Sequence, residues 1–132
     1  MSITQANPSA ITSKSILGLN LAKEKITVIY EYRVYSVLQG RMRDLQQRFE
    51  KVVFPTFEKN GMKTVGAWTP LIGGRSDQFI YMLAYEDLGA RQKTWASFFK
   101  DPDWTSEMQR GGPMIAHEEN AIFVPTSFSP LK

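Results

Sequence analysis

The sequence predicts an α+β domain of the ferredoxin-like kind, with the element order βαββαβ and four strands in one antiparallel sheet. Three observations predict this fold. Strand-like segments recur along the chain, apolar residues repeat at helical spacing in two segments between them, and glycine-containing turns separate the elements. A chain of 132 residues, of which 42% are hydrophobic, has the size and composition of one domain with one core.

The first strand is predicted over about residues 26–37, where two sets of side chains alternate. The sets are Val28, Tyr30, Tyr32 and Val34 on one side and Ile29, Glu31, Arg33 and Tyr35 on the other. We expect the first, mainly apolar set to face the helices of the domain. The set that contains Glu31 is expected to face away from them.

An amphipathic helix is predicted after this strand, because apolar residues over about 42–57 recur at intervals of three and four. Pro55 lies inside the pattern. Its ring removes a backbone hydrogen bond and crowds the preceding turn, so we expect a kink or a restart near Phe54. Asn60-Gly61 then supplies a left-handed end to the helix.

The second and third strands, over residues 62–71 and 78–85, are predicted to form a hairpin. Two glycines and short polar residues separate them, which is typical of a hairpin turn. Asp87 is the predicted N-cap of a second helix that ends near Lys100.

A short extra helix is predicted over residues 103–110, because Asp101-Pro102 combines an N-cap residue with a first-turn proline. The last strand is expected over residues 120–126, where apolar residues return. His117 is therefore expected between the short helix and the last strand.

One face of the predicted sheet has no helix to cover it. The strands carry Tyr, Trp, Phe and Met on both sides, so this face would be an exposed apolar patch and a site of association. A second copy of the chain is the simplest cover, and two sheets packed face to face form a dimeric α/β barrel whose middle can hold a small ligand. We therefore expect a homodimer with a cavity lined by the helix-free face.

The composition excludes several kinds of site. Without cysteine the chain has no disulfides, thiolate zinc sites, iron-sulfur clusters or thiol nucleophiles. The 16 Lys and Arg are mixed with 13 Asp and Glu, so the net charge of +3 forms no basic stripe, and no nucleic-acid partner is expected. No run approaches the ~18 apolar residues of a membrane span, so no membrane partner is expected either.

The chain is predicted to divide into a flexible N-terminal extension over residues 1–24, a domain over residues 25–126 and a C-terminal tail over residues 127–132. The extension is rich in Ser, Thr, Asn and Ala. Because it lacks the early basic region and clear apolar core of a secretory signal, the predicted location is the cytoplasm. Its basic character leaves an organelle-targeting role as the alternative.

Five short blocks of the sequence carry a family resemblance. The blocks are Tyr30-Glu31-Tyr32-Arg33-Val34-Tyr35, Glu58-Lys59-Asn60-Gly61-Met62, Val65-Gly66-Ala67-Trp68-Thr69, Tyr81-Met82-Leu83-Ala84-Tyr85-Glu86 and Asp101-Pro102-Asp103-Trp104. In order and spacing they resemble the NIPSNAP family over about residues 26–126. The resemblance implies the dimeric α/β-barrel superfamily, whose members include cofactor-independent monooxygenases, decarboxylases, isomerases, cyclases and haem-binding enzymes. Most NIPSNAP members have no established reaction.

Glu31, Arg33 and Tyr35 are the first candidate site. At a spacing of two on one strand, their side chains project in a row about 7 Å apart, close enough to converge on one ligand or to pair with each other. As a functional set, Glu31 is a general acid or base, Arg33 binds an anion and Tyr35 donates a hydrogen bond. The alternative is structural, with a buried Glu31–Arg33 ion pair that fixes the dimer.

Four further residues are candidates, each with a structural alternative. Trp68, Tyr81 and Tyr85 are expected to bind substrate, although aromatic residues on strands are often plain core. His117 is a candidate acid–base group or haem ligand, with a solvated histidine as the alternative. No metal is expected, because no second histidine and no cysteine complete a ligand set.

The predicted function is that of a cofactor-independent enzyme acting on a small, largely apolar metabolite by proton transfer, rearrangement or cyclisation, or oxygenation. A non-catalytic homodimer that binds a ligand or a protein is the alternative, since no residue set dictates a reaction. Haem binding is the third possibility.

Overall fold

The structure is a computed structural model that describes residues 28–132 of the chain. In chain order its elements are β1 (Ile29–Val37), α1 (residues 42–59), β2 (Lys63–Trp68), β3 (Gln78–Tyr85), α2 (Leu88–Lys100), α3 (Pro102–Gly111) and β4 (Ile115–Phe123). The strands form one antiparallel sheet in the order β2-β3-β1-β4, which confirms the predicted ferredoxin-like α+β fold. The predicted extension over residues 1–24 and the first residues of the predicted first strand lie outside the described residues.

Helices α1 and α2 pack on the same face of the sheet, and the core lies between them and the strands. Phe49 of α1 lies 4.7 Å from Phe79 and 5.0 Å from Tyr81 of β3, measured between ring centres. Phe57 of α1 lies 4.8 Å from Phe98 of α2. Burying an apolar side chain of this size stabilises the fold by about 1.5–3 kcal/mol.

Helix α1 changes its winding in the middle. It is α-helical over Met42–Arg48, π-helical over Phe49–Val53 and α-helical again over Phe54–Lys59. Pro55 lies in the first turn of the last segment, and the wider π turn before it makes room for its ring. The predicted restart near Phe54 is confirmed.

The predicted ends of the helices are confirmed. Gly61 follows α1 with a φ of 85°, a left-handed conformation that favours glycine. Asp87 Oδ1 accepts the N–H of Ala90 at 2.7 Å at the start of α2. Asp101 Oδ1 accepts the N–H of Asp103 at 2.9 Å at the start of α3.

The predicted hairpin between β2 and β3 is also confirmed, but β2 is shorter than expected. It ends at Trp68 rather than Leu71, because Pro70 has no N–H with which to continue the ladder. Leu71 and Ile72 consequently belong to the connection, where both are more than nine-tenths exposed.

The prediction that the Glu31 set of β1 faces away from the helices is wrong. Tyr35 packs edge-on against Phe49 of α1, with ring centres 5.9 Å apart. Glu31 accepts hydrogen bonds from Arg91 of α2. The other set of β1 lies on the helix-free face of the sheet: Tyr30, Tyr32 and Val34.

The error has a simple physical reason. Alternation with a period of two separates the two faces of a strand but does not tell which of them the helices cover. Ile29 and Val37 belong to the same set as Glu31, and both are buried in the core. The polar side chains between them are tolerated there because neighbouring elements supply their hydrogen-bond partners.

The prediction of the last strand over residues 120–126 is wrong at both boundaries, because β4 spans Ile115–Phe123. The outer edge of β1 pairs with this segment along its length, with an irregularity at Ser36–Val37. His117 therefore lies inside β4, opposite Ser36, and not before the strand. An edge strand exposed to water can consist largely of polar residues, and such a strand shows no apolar pattern in the sequence.

None of the helices in the described part of the chain is long and apolar enough to cross a membrane.

Candidate functional site

A cavity of about 240 Å³ lies between the sheet and the three helices. Its lining is mainly apolar and aromatic, with Phe57, Trp95, Phe98, Trp104 and Met114 among its members. The polar side chains of the lining are Arg33, Tyr35, Arg48, Tyr81 and Glu118. An apolar pocket with a few convergent polar groups is the usual form of a small-molecule site. This cavity lies on the covered face of the sheet. The predicted cavity on the helix-free face, which would form between two copies of the chain, stays a prediction.

Glu31 lies at the centre of a buried ion-pair network behind the cavity wall. Its side chain is fully buried, and both carboxylate oxygens are saturated with hydrogen bonds. Oε1 accepts from Tyr85 at 2.8 Å and from Nε of Arg91 at 2.9 Å. Oε2 accepts from Arg33, Arg91 and Asn120 at 2.8–2.9 Å. The carboxylate therefore holds two guanidinium groups in place and has no free lone pair for a ligand.

Arg33 connects this network to the cavity. Its Nε donates to the hydroxyl of Tyr81 at 2.8 Å, and its Nη2 donates to the hydroxyl of Tyr35 at 3.0 Å. Nη2 also donates to Glu118 Oε1 at 3.0 Å. The guanidinium lies 4.7 Å from the ring of Trp95, a cation–π distance. Hydrogen bonds and aromatic contact together fix its plane against the cavity wall.

The two phenols on the wall are joined to each other. The hydroxyls of Tyr35 and Tyr81 lie 2.7 Å apart, and each also accepts a hydrogen bond from Arg33. Only one of the two hydroxyls can donate to the other, because each has a single hydrogen. The hydrogen of the second hydroxyl has no acceptor among the side chains of residues 28–132.

Burial and charge set the protonation of these groups. Burial alone would raise the pKa of the Glu31 carboxyl, but hydrogen bonds from Arg91, Asn120 and Tyr85 and the charge of Arg33 outweigh it and lower the pKa to about 2. Burial raises the pKa of Tyr35, Tyr81 and Tyr85 above the usual range. At neutral pH the buried part of the network therefore consists of the Glu31 carboxylate, cationic arginines and neutral phenols.

A second buried ion pair holds the wall formed by Pro113 and Met114. Arg48 of α1 donates from Nε to Glu107 Oε2 at 2.9 Å and from Nη2 to the carbonyl oxygen of Gly112 at 2.7 Å. Both charged side chains are at most 5% exposed. Because a buried charge without its partner is costly, this pair ties α1 to the end of α3 beside the cavity.

Residues 30–130 match the model of the NIPSNAP family. The chain belongs to the NIPSNAP family. The match runs from β1 to beyond β4, so the cavity and the network behind it lie within the family's domain. The family resemblance seen in the sequence is confirmed.

Among curated proteins, this NIPSNAP chain is similar to NipSnap homolog 2 of Danio rerio, with 28% identity over 108 residues that make up 79% of the chain. The chain spans 35% of the length of that relative. Among solved structures it is similar to a NIPSNAP family protein of Agrobacterium tumefaciens, with a TM-score of 0.72 and 28% identity over 80% of this chain and 91% of that chain. An uncharacterized NIPSNAP-like domain protein of Burkholderia xenovorans gives a TM-score of 0.69 and 27% identity, over 78% and 89% of the two chains.

The NIPSNAP structure brings together some of the predicted site residues and separates others. Arg33, Tyr35 and Tyr81 line the cavity. Glu31 and Tyr85 lie in the layer behind, where they do not line it. Their role as groups that contact a substrate stays a prediction, and their geometry is that of positioning residues.

Two predicted site residues lie away from the cavity of the NIPSNAP domain. Trp68 is on the helix-free side of β2 and is about half exposed. His117 is exposed on β4, with its Nε2 3.2 Å from Glu119 Oε2. Within residues 28–132, no group of three or more His, Asp or Glu side chains is placed to hold a metal ion.

Four members of this arrangement were not predicted from the sequence: Arg91, Trp95, Glu118 and Asn120. Arg91 and Trp95 are four residues apart on α2, so a charged residue on the same stripe as a core tryptophan is a usable signal for a buried counter-charge. Glu118 and Asn120 have no such local signal. They reach the network only because β4 pairs with β1 and sets them opposite Tyr35 and Arg33.

Proposed function

We propose that this NIPSNAP chain is a cofactor-independent enzyme that binds a small, largely apolar, oxygenated metabolite in the cavity. In this proposal the cavity wall stabilises negative charge on one oxygen of the substrate. The reaction class is proton transfer, rearrangement or cyclisation, or oxygenation, all of which can pass through an enolate or a phenolate.

One observation carries the proposal: a cationic guanidinium and a pair of neutral phenols lie together on the wall of an apolar cavity. Arg33 donates to both Tyr35 and Tyr81, and one phenol hydrogen remains for a ligand. Hydrogen-bond donors fixed in surroundings that exclude water stabilise a developing oxyanion more strongly than water does. Glu31 supports this arrangement from behind, as a positioning residue for Arg33.

A non-catalytic ligand-binding domain is the second candidate, and one observation favours it. The pKa of Glu31 is held near 2 and those of the buried phenols are raised, so none of these groups exchanges a proton near pH 7. Such a wall binds an oxygenated molecule but supplies no general base of its own. Turnover of the bound molecule distinguishes the two candidates.

Haem, the third possibility, does not fit this cavity. His117, the candidate ligand, lies outside it, and the hydroxyls of Tyr35 and Tyr81 are engaged with Arg33. A cavity of about 240 Å³ is also small for a porphyrin. We therefore assign no step to haem.

A screen of oxygenated aromatic acids and phenols tests the proposed function. We expect some of them to raise the melting temperature of the full chain, because ligand that binds only the folded state stabilises it by mass action. Met108 of α3 also lines the cavity. We expect a Met108→Trp variant, whose larger side chain fills the cavity, to lose the shift, and a Met108→Leu variant to keep it. Mass spectrometry of the compounds that bind then shows whether the protein has changed them chemically.

Two results of the screen contradict the proposal. Equal shifts for Met108→Trp and the wild-type protein would mean that the compounds bind elsewhere. Compounds that bind in the cavity but return chemically unchanged support the non-catalytic candidate instead.

We also propose that two copies of the chain pair through the helix-free face of the sheet. Trp68 and Phe123 on this face are 49% and 51% exposed, and Tyr32, Val34 and Met82 between them are only partly buried. A contiguous apolar surface of this kind is typical of an association site.

A cytoplasmic location, the absence of nucleic-acid and membrane partners and the division at residues 24 and 126 stay predictions.

Light scattering coupled to size-exclusion chromatography tests the dimer. We expect the wild-type chain to have twice the mass of one chain and a Val34→Arg variant to have the mass of one, since a buried unpaired charge is costly. Ala96→Arg, which adds the same charge on the exposed face of α2, is the matched control and should stay dimeric. A wild-type chain that elutes as a monomer refutes the pairing.

A further inference from the structure

The anchor of the cavity wall, Arg33, has one partner that differs from the others. Glu31, Tyr35 and Tyr81 are buried and bonded to further groups of the network. Glu118 binds the same guanidinium through Nη2 at 3.0 Å, but its own side chain is 54% exposed. In the described part of the chain it is bonded to no other side chain of this network. Arg33 therefore has three fixed partners and one that can leave.

The charges of the network show what Glu118 contributes. Arg33 and Arg91 each carry a positive charge, and Glu31 between them carries one negative charge. Without Glu118 the cluster is left with a surplus positive charge beside an apolar cavity. Glu118 neutralises that surplus, and one carboxylate or phenolate oxygen would do the same.

Release of Glu118 is physically easy. It projects from β4, the edge strand of the sheet, and its half-exposed carboxylate is well solvated once it leaves, while the buried Arg33 keeps its three other partners. A ligand anion inside the cavity would be screened less by water and salt than Glu118 is. The apolar body of such a ligand would gain further from contact with the aromatic lining, which includes Trp95 and Phe98.

We propose that Glu118 occupies, in the ligand-free chain, the position on Arg33 that the anionic oxygen of the ligand takes, and that the ligands of the cavity are small monoanions with an apolar body. This inference rests on the proposed function and names its substrate class. Glu118 acts as an internal competitor, so the empty cavity does not present a bare cation and neutral molecules gain nothing from displacing the carboxylate.

Isothermal titration calorimetry on the full chain tests this inference, with 2-naphthoate as the anionic probe and 2-naphthamide as its neutral counterpart. We expect a Glu118→Gln variant to bind 2-naphthoate about three- to fivefold more tightly than the wild-type protein, the amount expected when an exposed competing ion pair is removed. The affinity for 2-naphthamide should be the same in both proteins. Tryptophan fluorescence reports entry into the cavity, because Trp95 and Trp104 line it.

Glu119→Gln is the matched control. It removes the same charge from the next position of β4, but Glu119 lies opposite Val34 and pairs with His117 instead of Arg33. A gain of affinity for 2-naphthoate with Glu118→Gln alone supports the inference, whereas an equal gain with both variants reduces it to a long-range charge effect and overturns it.

Two further outcomes separate a failure of this inference from a failure of the proposed function. If 2-naphthoate binds and quenches tryptophan fluorescence but Glu118→Gln leaves its affinity unchanged or weakens it, Glu118 is not a competitor, and the proposed function survives without this inference. If neither probe binds any of the three proteins, the proposed function fails and the inference fails with it.

Discussion

We expect the Glu31→Gln substitution to lower the free energy of unfolding by about 3–5 kcal/mol, the cost of breaking a buried ion pair by removing one partner. The fully buried carboxylate accepts hydrogen bonds from Arg33 and Arg91. A neutral amide leaves both guanidinium groups without their shared counter-charge, and its NH2 group faces their donors. Urea unfolding of the two proteins at pH 7 measures the difference.

The difference in free energy of unfolding between the wild-type protein and Glu31→Gln should also depend on pH. Because the pKa of Glu31 is about 2 in the folded chain and about 4.5 ordinarily, the carboxylate stabilises the folded state fully above pH 4.5. This contribution, about 3 kcal/mol, is lost as the pH falls through 2. We therefore expect the gap between wild type and Glu31→Gln to be full at pH 7 and smaller at pH 3.

Glu118→Gln is the control for this prediction, since it removes a carboxylate from the same arginine on the exposed side. An exposed pair is worth about 0–1 kcal/mol, so we expect Glu118→Gln to have little effect on unfolding. Equal losses in the two variants, or a gap that does not change between pH 7 and pH 3, would contradict the assigned role of Glu31.

We expect Arg33→Met to lower turnover of the substrate found in the screen by about 10²–10³-fold, the effect of removing one oxyanion-stabilising donor. The substitution takes away the cation that bonds both phenols of the wall. The turnover of Arg33→Lys should lie between those of the wild-type protein and Arg33→Met. An ammonium group keeps the charge but cannot donate in the fixed directions of a guanidinium.

Initial rates at saturating substrate, with circular dichroism to check the fold, measure this effect. Arg110→Met is the matched control, because Arg110 also pairs with a buried carboxylate, that of Glu107, but is 71% exposed and does not line the cavity. Retention of more than half of wild-type turnover by Arg33→Met would show that the reaction does not use this wall.

Local features of the fold follow from the sequence. The restart of α1 before Pro55, the end of that helix at Gly61 and the N-caps Asp87 and Asp101 are each decided by one or two residues whose backbone or side-chain chemistry acts at short range. Such preferences need no tertiary contact, so they are readable in advance. The edge strand β4 is the exception, because its polar residues become a strand only by pairing with β1.

The candidate site follows from the sequence only in part. Residue type and spacing pointed to Arg33, Tyr35 and Tyr81, and these side chains do meet at one cavity. The face expected for Arg33 and Tyr35 was wrong, because their spacing separates the two faces of the strand without telling which one the helices cover. The same spacing also made Glu31 a candidate acid–base group, whereas the contacts from Arg91 and Asn120 saturate its oxygens and hold it ionised.

The polar stripe of β1 was thus determined by the sequence alone, as a row of side chains at a spacing of two that had to be paired or to bind something. Only the tertiary structure decided which of these happens to each member. Helix α2 and strand β4 bring Arg91, Trp95, Asn120 and Glu118 to the stripe from distant parts of the chain. The protonation state of a buried group, and the hydrogen-bonding positions it has left for a ligand, depend on all of its neighbours. A sequence specifies only the neighbours that are close along the chain.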